Sequence, residues 1–486
     1  MKKIISALVL LAGLSTTSHA RDGYRISVKL ADFKDTMVYL VHYYGKPLPT
    51  IYKSDSAMVD KNGVAVIEET KPVLGGIYMV LTADKKKYVE LLLNNGDDMS
   101  VTMNAKGREE GPIEDVTFKN SPENDRFLAY MKFLKGFGDN QQKLQQEYAA
   151  AKNAADSAAV RKRMAIAGKE LTDYRHEYAA KYPKTLLANV FNALEVPVVP
   201  EGVHRLPNGQ VDSSFAYDYY KAHFWDKFDF QDDRLINTPI YDAKLDEYMN
   251  KLVIPLVDSV TKEGDILLKK TRGTKDLFKY TLHWLTYNAE SSKVMGMDAA
   301  FVYLVENYHM KGDATWLGPD DIARYSKRAQ ELSRTAIGNL APDIKMQDVN
   351  AKPMPLSGVK SKYTVVLFWE PSCGHCQKEV PQLDSVYKAV LKAKGVKVYA
   401  VRTDDPVKQW QEFIQKHQLG DWINVYDPDH RSNYHSDYDI KSTPTIYLLD
   451  EKKIIIGKRL DHTNIGQVIE MEERKAARAA ARAAGK

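Results

Sequence analysis

The sequence predicts a multidomain chain. An antiparallel β domain is expected over residues 21–120, an all-α domain over 121–340 and an α/β domain over 341–470, with an Ala/Arg-rich tail over 471–486. Three observations predict this. Hydrophobicity alternates with period two in the first stretch and with helical period in the second. In the third, β-branched runs alternate with helical ones, the pattern of strands joined by crossover helices. The length, 486 residues, exceeds what one core supports.

The N-terminus reads as a leader. Met1-Lys2-Lys3 precedes an apolar run from Ile4 to Leu14, and Ser18-His19-Ala20 offers a small-x-small cleavage site. The run is shorter than the roughly 20 residues that a membrane span takes. No cysteine stands near Ala20 for lipid attachment. Cleavage after Ala20 is expected, giving a soluble protein of the periplasm or cell envelope that is not a lipoprotein. The net charge of +5 includes Lys2 and Lys3. The remainder is nearly balanced, which argues against nucleic acid as a partner.

From Tyr24 to Leu30 apolar and polar residues alternate. Similar runs recur at 37–41, 64–67, 77–81, 89–93 and 101–103, separated by the turn signals Lys61-Asn62-Gly63, Gly75-Gly76 and Asn94 to Asp97. A small sandwich is expected. Ser121-Pro122-Glu123 then opens a helix, with Ser as cap, Pro in the first turn and Glu at the positive end. Phe127, Tyr130, Met131 and Leu134 follow at helical spacing. Leu245, Tyr248, Met249, Leu252, Val253 and Leu256 form a second stripe, Phe301, Leu304 and Val305 a third, and 322–337 the last. Tyrosines at such spacing read as core.

The α/β part starts near Ala341. A strand is expected over 362–369, a helix to 394, a strand over 396–401, a helix near 406–417 and a late hairpin of 446–449 with 454–456. The tail from Glu472 reads as a solvated helix packed on nothing.

The chemistry concentrates in FWEPSCGHCQKEVP, Phe368 to Pro381, which holds both cysteines of the chain, Cys373 and Cys376. A zinc site commonly takes about four ligands, and no second pair exists, so no metal is expected. A structural disulfide three residues apart closes too small a loop to stabilise much. Redox exchange remains, because C-x-x-C between a strand and a helix is placed for it. The first sulfur falls at a helix N-terminus, where free N–H groups and the positive dipole end stabilise a thiolate. Cys373 is thus expected to attack and Cys376, one turn in, to resolve. A protonated His375 would add to that stabilisation.

These residues resemble the thioredoxin-like fold, and within it the exported TlpA/ResA-like thiol–disulfide oxidoreductases, over about 337–469. Ala341-Pro342 followed by Pro355-Leu356-Ser357 resembles the lead-in hairpin. Phe368-Trp369 precedes the cysteines with Pro371, and Pro381 sits where such helices carry a kinking proline. Thr443-Pro444-Thr445 resembles the cis-proline loop that receives substrate backbone. Glu379 matches a glutamate that ResA-like proteins hold beside the pair, which implies a proton-handling role. The buried acid of thioredoxin is replaced by Leu367, and Ser372 replaces the usual aromatic residue. The Gly-His dipeptide is that of protein disulfide isomerase. The resemblance implies no cofactor beyond the cysteines themselves. The two preceding segments are similar to uncharacterised domains of bacterial envelope proteins, with no defensible nucleophile or metal spacing of their own.

The direction of electron flow receives opposing hints. Gly-His favours a stabilised thiolate and a more oxidising couple, whereas the family leans toward reductases. The expectation is reduction or isomerisation of disulfides in exported client proteins, with a membrane electron donor if the protein is a reductase. The helical domain would serve as a partner-binding or homodimerising platform. Two other readings stand beside it. One is an envelope-binding scaffold with a vestigial redox domain. The other is a peroxiredoxin-type peroxidase, against which Val366 and Glu370 occupy the Pro and Thr places of the peroxidatic motif.

Overall fold

The structure is a computed structural model that describes residues 22–30, 33, 35–106, 109–404 and 406–483. The expected leader over 1–20 lies outside the described residues. The chain forms two compact units: residues up to 252 with 270–277, and 253–269 with the remainder from 278. The division falls inside the helical stretch expected as a single domain, because its first part packs on the β domain and its later part on the α/β domain.

In the first unit, β1 (Tyr24–Leu30), β4 (Val64–Glu69), β7 (Asp97–Asn104) and β9 (Asp115–Lys119) form a four-stranded sheet in the order β4-β1-β7-β9. A second, five-stranded sheet runs β3-β2-β5-β6-β8. Its strands are β2 (Thr36–His42), β3 (Tyr52–Val59), β5 (Gly76–Leu81), β6 (Lys87–Leu93) and β8 (Gly111–Pro112). Ile26 and Val28 from one sheet and Val38, Leu40 and Leu91 from the other close on a shared core, as inward residues of a sandwich do. Most strands pair antiparallel, as expected, with two parallel pairs beside them: β1 with β7, and β6 with β8. Gly75-Gly76 is more than a turn signal. Gly76 begins β5 at φ 154°, and a Cβ there would come within 2.2 Å of the Asn237 Cβ.

Helix α1 (Pro122–Ala149) packs on β6 and β9. Ser121 occupies the cap position but makes no side-chain cap bond; its hydroxyl accepts instead from Asn124 Nδ2 at 2.8 Å. Asn124 is 1 % exposed. It accepts from Leu92 N at 2.7 Å and donates to Leu92 O at 2.8 Å, so a buried amide is satisfied by the strand beneath. α2 (Ala154–Lys181) runs back beside α1, and the chain continues through α3 (Leu186–Leu194), α4 (Phe215–His223) and α5 (Tyr241–Glu247). The stripe expected from Leu245 to Leu256 breaks. Leu245, Tyr248, Met249 and Val253 are buried, but the helix ends at Leu252, Pro255 follows and Leu256 is exposed.

In the second unit, α6 (Val257–Thr271), α7 (Asp276–Ser291), α8 (Asp298–Leu304) and α9 (Pro319–Arg334) lead into a six-stranded sheet of order β10-β13-β12-β11-β14-β15. Its strands are β10 (Gln347–Asp348), β11 (Tyr363–Trp369), β12 (Val396–Arg402), β13 (Ile423–Tyr426), β14 (Thr445–Leu449) and β15 (Ile455–Lys458). Central β11 is buried throughout, parallel to β12 and antiparallel to β14. A run with apolar side chains on both faces suits such a strand. Val365, Leu367 and Trp369 face α10 (Gly374–Val386), α11 (Val407–Lys416) and α13 (Ile465–Ala483). Val366 and Phe368 face the opposite core of Tyr399, Tyr438, Tyr447, Ile344 and Leu356, to which short α12 (Tyr434–Asp437) adds Tyr434.

The tail is also corrected. Its first residues continue α13, and Glu473 pairs with Lys362 at 2.7 Å and Lys394 at 3.1 Å. The helical part of this unit is fastened to the sheet. Arg328 reaches both oxygens of Asp439, at 2.6 and 3.1 Å. Lys458, 2 % exposed, meets Asp298 at 2.5 Å and Thr335 Oγ1 at 3.1 Å. Burial pushes the Lys458 ammonium down, and Asp298 opposes that. Among the described residues, no helix is long and apolar enough to cross a membrane.

Candidate active site

β11 delivers the motif. Trp369, fully buried, ends the strand against Phe413, with ring centroids 5.0 Å apart. Its carbonyl accepts from Thr403 N at 3.0 Å. Pro371 is buried, and its carbonyl accepts from Gln377 Nε2 at 3.0 Å, pinning the loop to the helix that follows. Cys373 is the N-cap residue of α10, with φ −70° and ψ 119°. Its side chain therefore sits where the first N–H groups of a helix lack partners.

The two sulfurs are unpaired thiols with different surroundings. Cys373 is half-buried, and its Sγ donates to Thr443 O at 3.2 Å. Partial burial opposes its ionisation, but hydrogen bonds from Thr443, from Cys376 and from the backbone of His375 outweigh that, and its pKa lies below the ordinary thiol value. Cys376 is fully buried against Leu367 and Val380. Burial pushes its thiol up to about 12.

Thr443 and Pro444, expected as the cis-proline loop, are joined by a cis peptide and stand against Cys373. His375 is exposed, and it is its backbone that contributes to Cys373. Glu379, expected to handle protons beside the pair, has both oxygens engaged elsewhere. His462 N donates to Oε1 at 2.6 Å, and His462 Nδ1 lies 2.8 Å from Oε2. Leu367 fills the place of an acid with fully buried hydrocarbon.

Two residues of the site escaped the sequence reading: His462, and Glu370, whose Oε1 accepts from Thr443 Oγ1 at 2.9 Å. They lie 83 and 73 positions from their partners, and no local pattern announces such pairs. Among the described residues, no group of three or more His, Cys, Asp or Glu could hold a metal ion.

A dithiol at the head of a helix, fed by a buried central strand and facing a cis-proline loop, defines a thioredoxin-like redox domain. The C-terminal domain belongs to the AhpC/TSA family, whose model matches residues 337–458, and the chain is a thiol–disulfide oxidoreductase. Two domains of unknown function precede it, DUF4369 over 24–127 and DUF5106 over 153–334. A thiol-disulfide oxidoreductase ResA of Geobacillus kaustophilus is 27% identical over 137 residues, covering 27% of this chain and 76% of the relative. A thioredoxin-like protein, YneN of Bacillus subtilis, is 27% identical over 132 residues, 27% of this chain and 74% of its own. A solved domain of a possible thiol-disulfide isomerase from Cytophaga hutchinsonii is 35% identical, covering 29% of this chain and 95% of that one, with a TM-score of 0.28.

Proposed function

We propose that the protein is exported and reduces or isomerises disulfides of cell-envelope proteins through Cys373 and Cys376. The observation that carries this reading is the inequality of the two thiols. Cys373, half-buried at the helix N-terminus, ionises readily; Cys376, fully buried, does not.

The Cys373 thiolate attacks one sulfur of a client disulfide. A Cys373–client disulfide forms and the client's other sulfur leaves as thiolate. Cys376 then attacks Cys373 Sγ, its proton passing to the departed client thiolate. The intramolecular disulfide forms and the second client sulfur is released. The client gains two electrons and the enzyme loses two, so a reductase needs re-reduction by a membrane electron donor. Arg21 as the mature N-terminus in a periplasmic fraction is expected from the leader.

The deciding experiment is disulfide reduction by Cys373→Ser and Cys376→Ser, with the pair's potential equilibrated against glutathione. Retention of activity by Cys373→Ser removes the nucleophile assignment. A potential near −270 mV marks a reductase, and one near −180 mV an isomerase or oxidant, values typical of thioredoxin and protein disulfide isomerase (about 90 mV, or three decades in equilibrium constant, apart).

A further inference from the structure

The redox reaction does not use the β domain, yet that domain holds a cavity of about 830 Å³, within the roughly 300–1,000 Å³ of ligand sites. Val89 and Glu90 of β6, Ile113, and Leu128, Met131 and Leu134 of α1 line it. Val89 and Ile113 are buried and the three helix residues half-buried, so the walls are mostly hydrocarbon.

The cavity lies where β8 stops. β8 pairs with β6 only at Lys87 and Tyr88. Ile113 N still donates to Tyr88 O at 2.8 Å, and the chain then crosses to the other sheet as β9. Further along β6, Asn124 of α1 bonds both Leu92 N and Leu92 O. Glu90 stands between these two anchors. On the β5 side, Thr82 N donates to Lys87 O at 2.9 Å. Bonded pairs alternate along an antiparallel ladder, so Leu81–Tyr88, Met79–Glu90 and Ile77–Leu92 are the pairs that exchange no bonds. The Glu90 N–H and C=O therefore turn the same way as those of Tyr88 and Leu92, toward Ile113 and α1, where the cavity is. Among the described residues neither has a partner. The Glu90 carboxylate is engaged separately, by Tyr43 Oη.

Charge at the mouth is balanced. Lys132 and Lys135 stand on the helix side, Glu114 and Asp115 on the strand side, and Lys135 meets Glu114 at 2.7 Å. The complementary occupant carries no net charge, has apolar side chains and offers a main-chain donor and acceptor together.

We propose that the cavity binds an extended, uncharged peptide segment of another protein. One residue of the segment exchanges hydrogen bonds with the Glu90 N–H and C=O, adding to the sheet where β8 leaves off. Large apolar side chains of the segment pack against Ile113, Leu128 and Met131. Strand addition supplies affinity through main-chain bonds and specificity through pockets for side chains. The cysteines play no part in it.

The test uses the full-length protein and a capped heptapeptide of alternating leucine and threonine. Binding is followed by calorimetry and by hydrogen exchange resolved to single amides. In the free protein the Glu90 amide is expected to exchange at least about tenfold faster than those of Val89 and Leu91, which bond to β5. The peptide is expected to bind saturably and to slow the Glu90 amide by about tenfold or more. The same peptide with methylated amide nitrogens is expected to bind about three- to tenfold more weakly. Leu128→Trp, which fills the cavity, is expected to weaken binding by about tenfold or more. Met131→Trp replaces it if the thermal transition shows that Leu128→Trp does not fold.

Equal binding of the methylated peptide means an apolar hole without strand pairing and overturns the proposal. So does binding unchanged in a folded Trp variant, a Glu90 amide that the peptide leaves unprotected, or no saturable binding. Failure of the nucleophile assignment appears elsewhere, as activity in Cys373→Ser, and leaves this test unaffected.

Discussion

The rim of α10 and its inner side lie one turn apart and treat sulfur in opposite ways. On the rim, Cys373 has the first N–H groups of α10, a carbonyl of the cis-proline loop and partial exposure. On the inner side, Cys376 is enclosed by the hydrocarbon of Leu367, Val380 and Leu383. One position favours charge and the other excludes it. The difference teaches that a C-x-x-C pair gets its order of events from burial: the sulfur able to ionise is the one a client can reach.

The largest break in this asymmetry is removal of one sulfur at a time. Cys373→Ser is expected to abolish client reduction. Cys376→Ser is expected to lower turnover by at least about 10²-fold while client–Cys373 adducts accumulate, visible on non-reducing gels. Equal adduct yields from the two variants would contradict the assigned order.

Next in size is alkylation of the reduced wild type. Cys373 ionises below the ordinary thiol range and Cys376 at about 12. As pH rises, the Cys373 thiolate fraction climbs first and levels off, while Cys376 stays protonated through neutral pH. Selectivity near pH 7 is expected to be about 10³-fold or more, measured by mass spectrometry of the modified peptides.

A smaller effect is expected of His462→Ala, which frees both oxygens of Glu379. Stopped-flow resolution of a preformed mixed disulfide is expected to change by about three- to tenfold, with the Cys373 pH profile unmoved. A shift in that profile would place Glu379 on the rim side instead. The smallest effect belongs to His375→Ala. Because the backbone of His375 contributes and its ring is exposed, the Cys373 midpoint is expected to move by less than about 0.3 pH units.

What the sequence discloses tracks how local the cause is. The alternating β1, the buried run of β11 and the strand–C-x-x-C–helix order are written in neighbouring residues. β3 was not legible: Tyr52–Val59 is mostly polar and exposed, so it lacks the alternation that marks a half-buried strand. β13 is four residues long and β8 two, too short to carry a period. The parallel pairing of β1 with β7 depends on strands some 70 residues apart in sequence. The cysteines and the Thr-Pro loop could be read directly, whereas the partners of Glu379 and Thr443 come from elements that only folding brings together.

The Lys458–Asp298 contact has a consequence for where the chain can be cut. Lys458 belongs to the last strand of the redox domain, and its counter-ion comes from α8, 160 positions earlier. A fragment beginning at Ala341 would keep the cysteines and the sheet while leaving an ammonium group at a position built for a neutralised one. Removing Asp298 alone from the intact chain would leave that ammonium buried and unpaired, at a cost of about 3–5 kcal/mol. Recombination that moved this redox domain onto another protein would therefore have to bring α8 with it or replace Lys458. The domain is portable in its chemistry but tied, through Lys458 and Asp439, to the helices beside it.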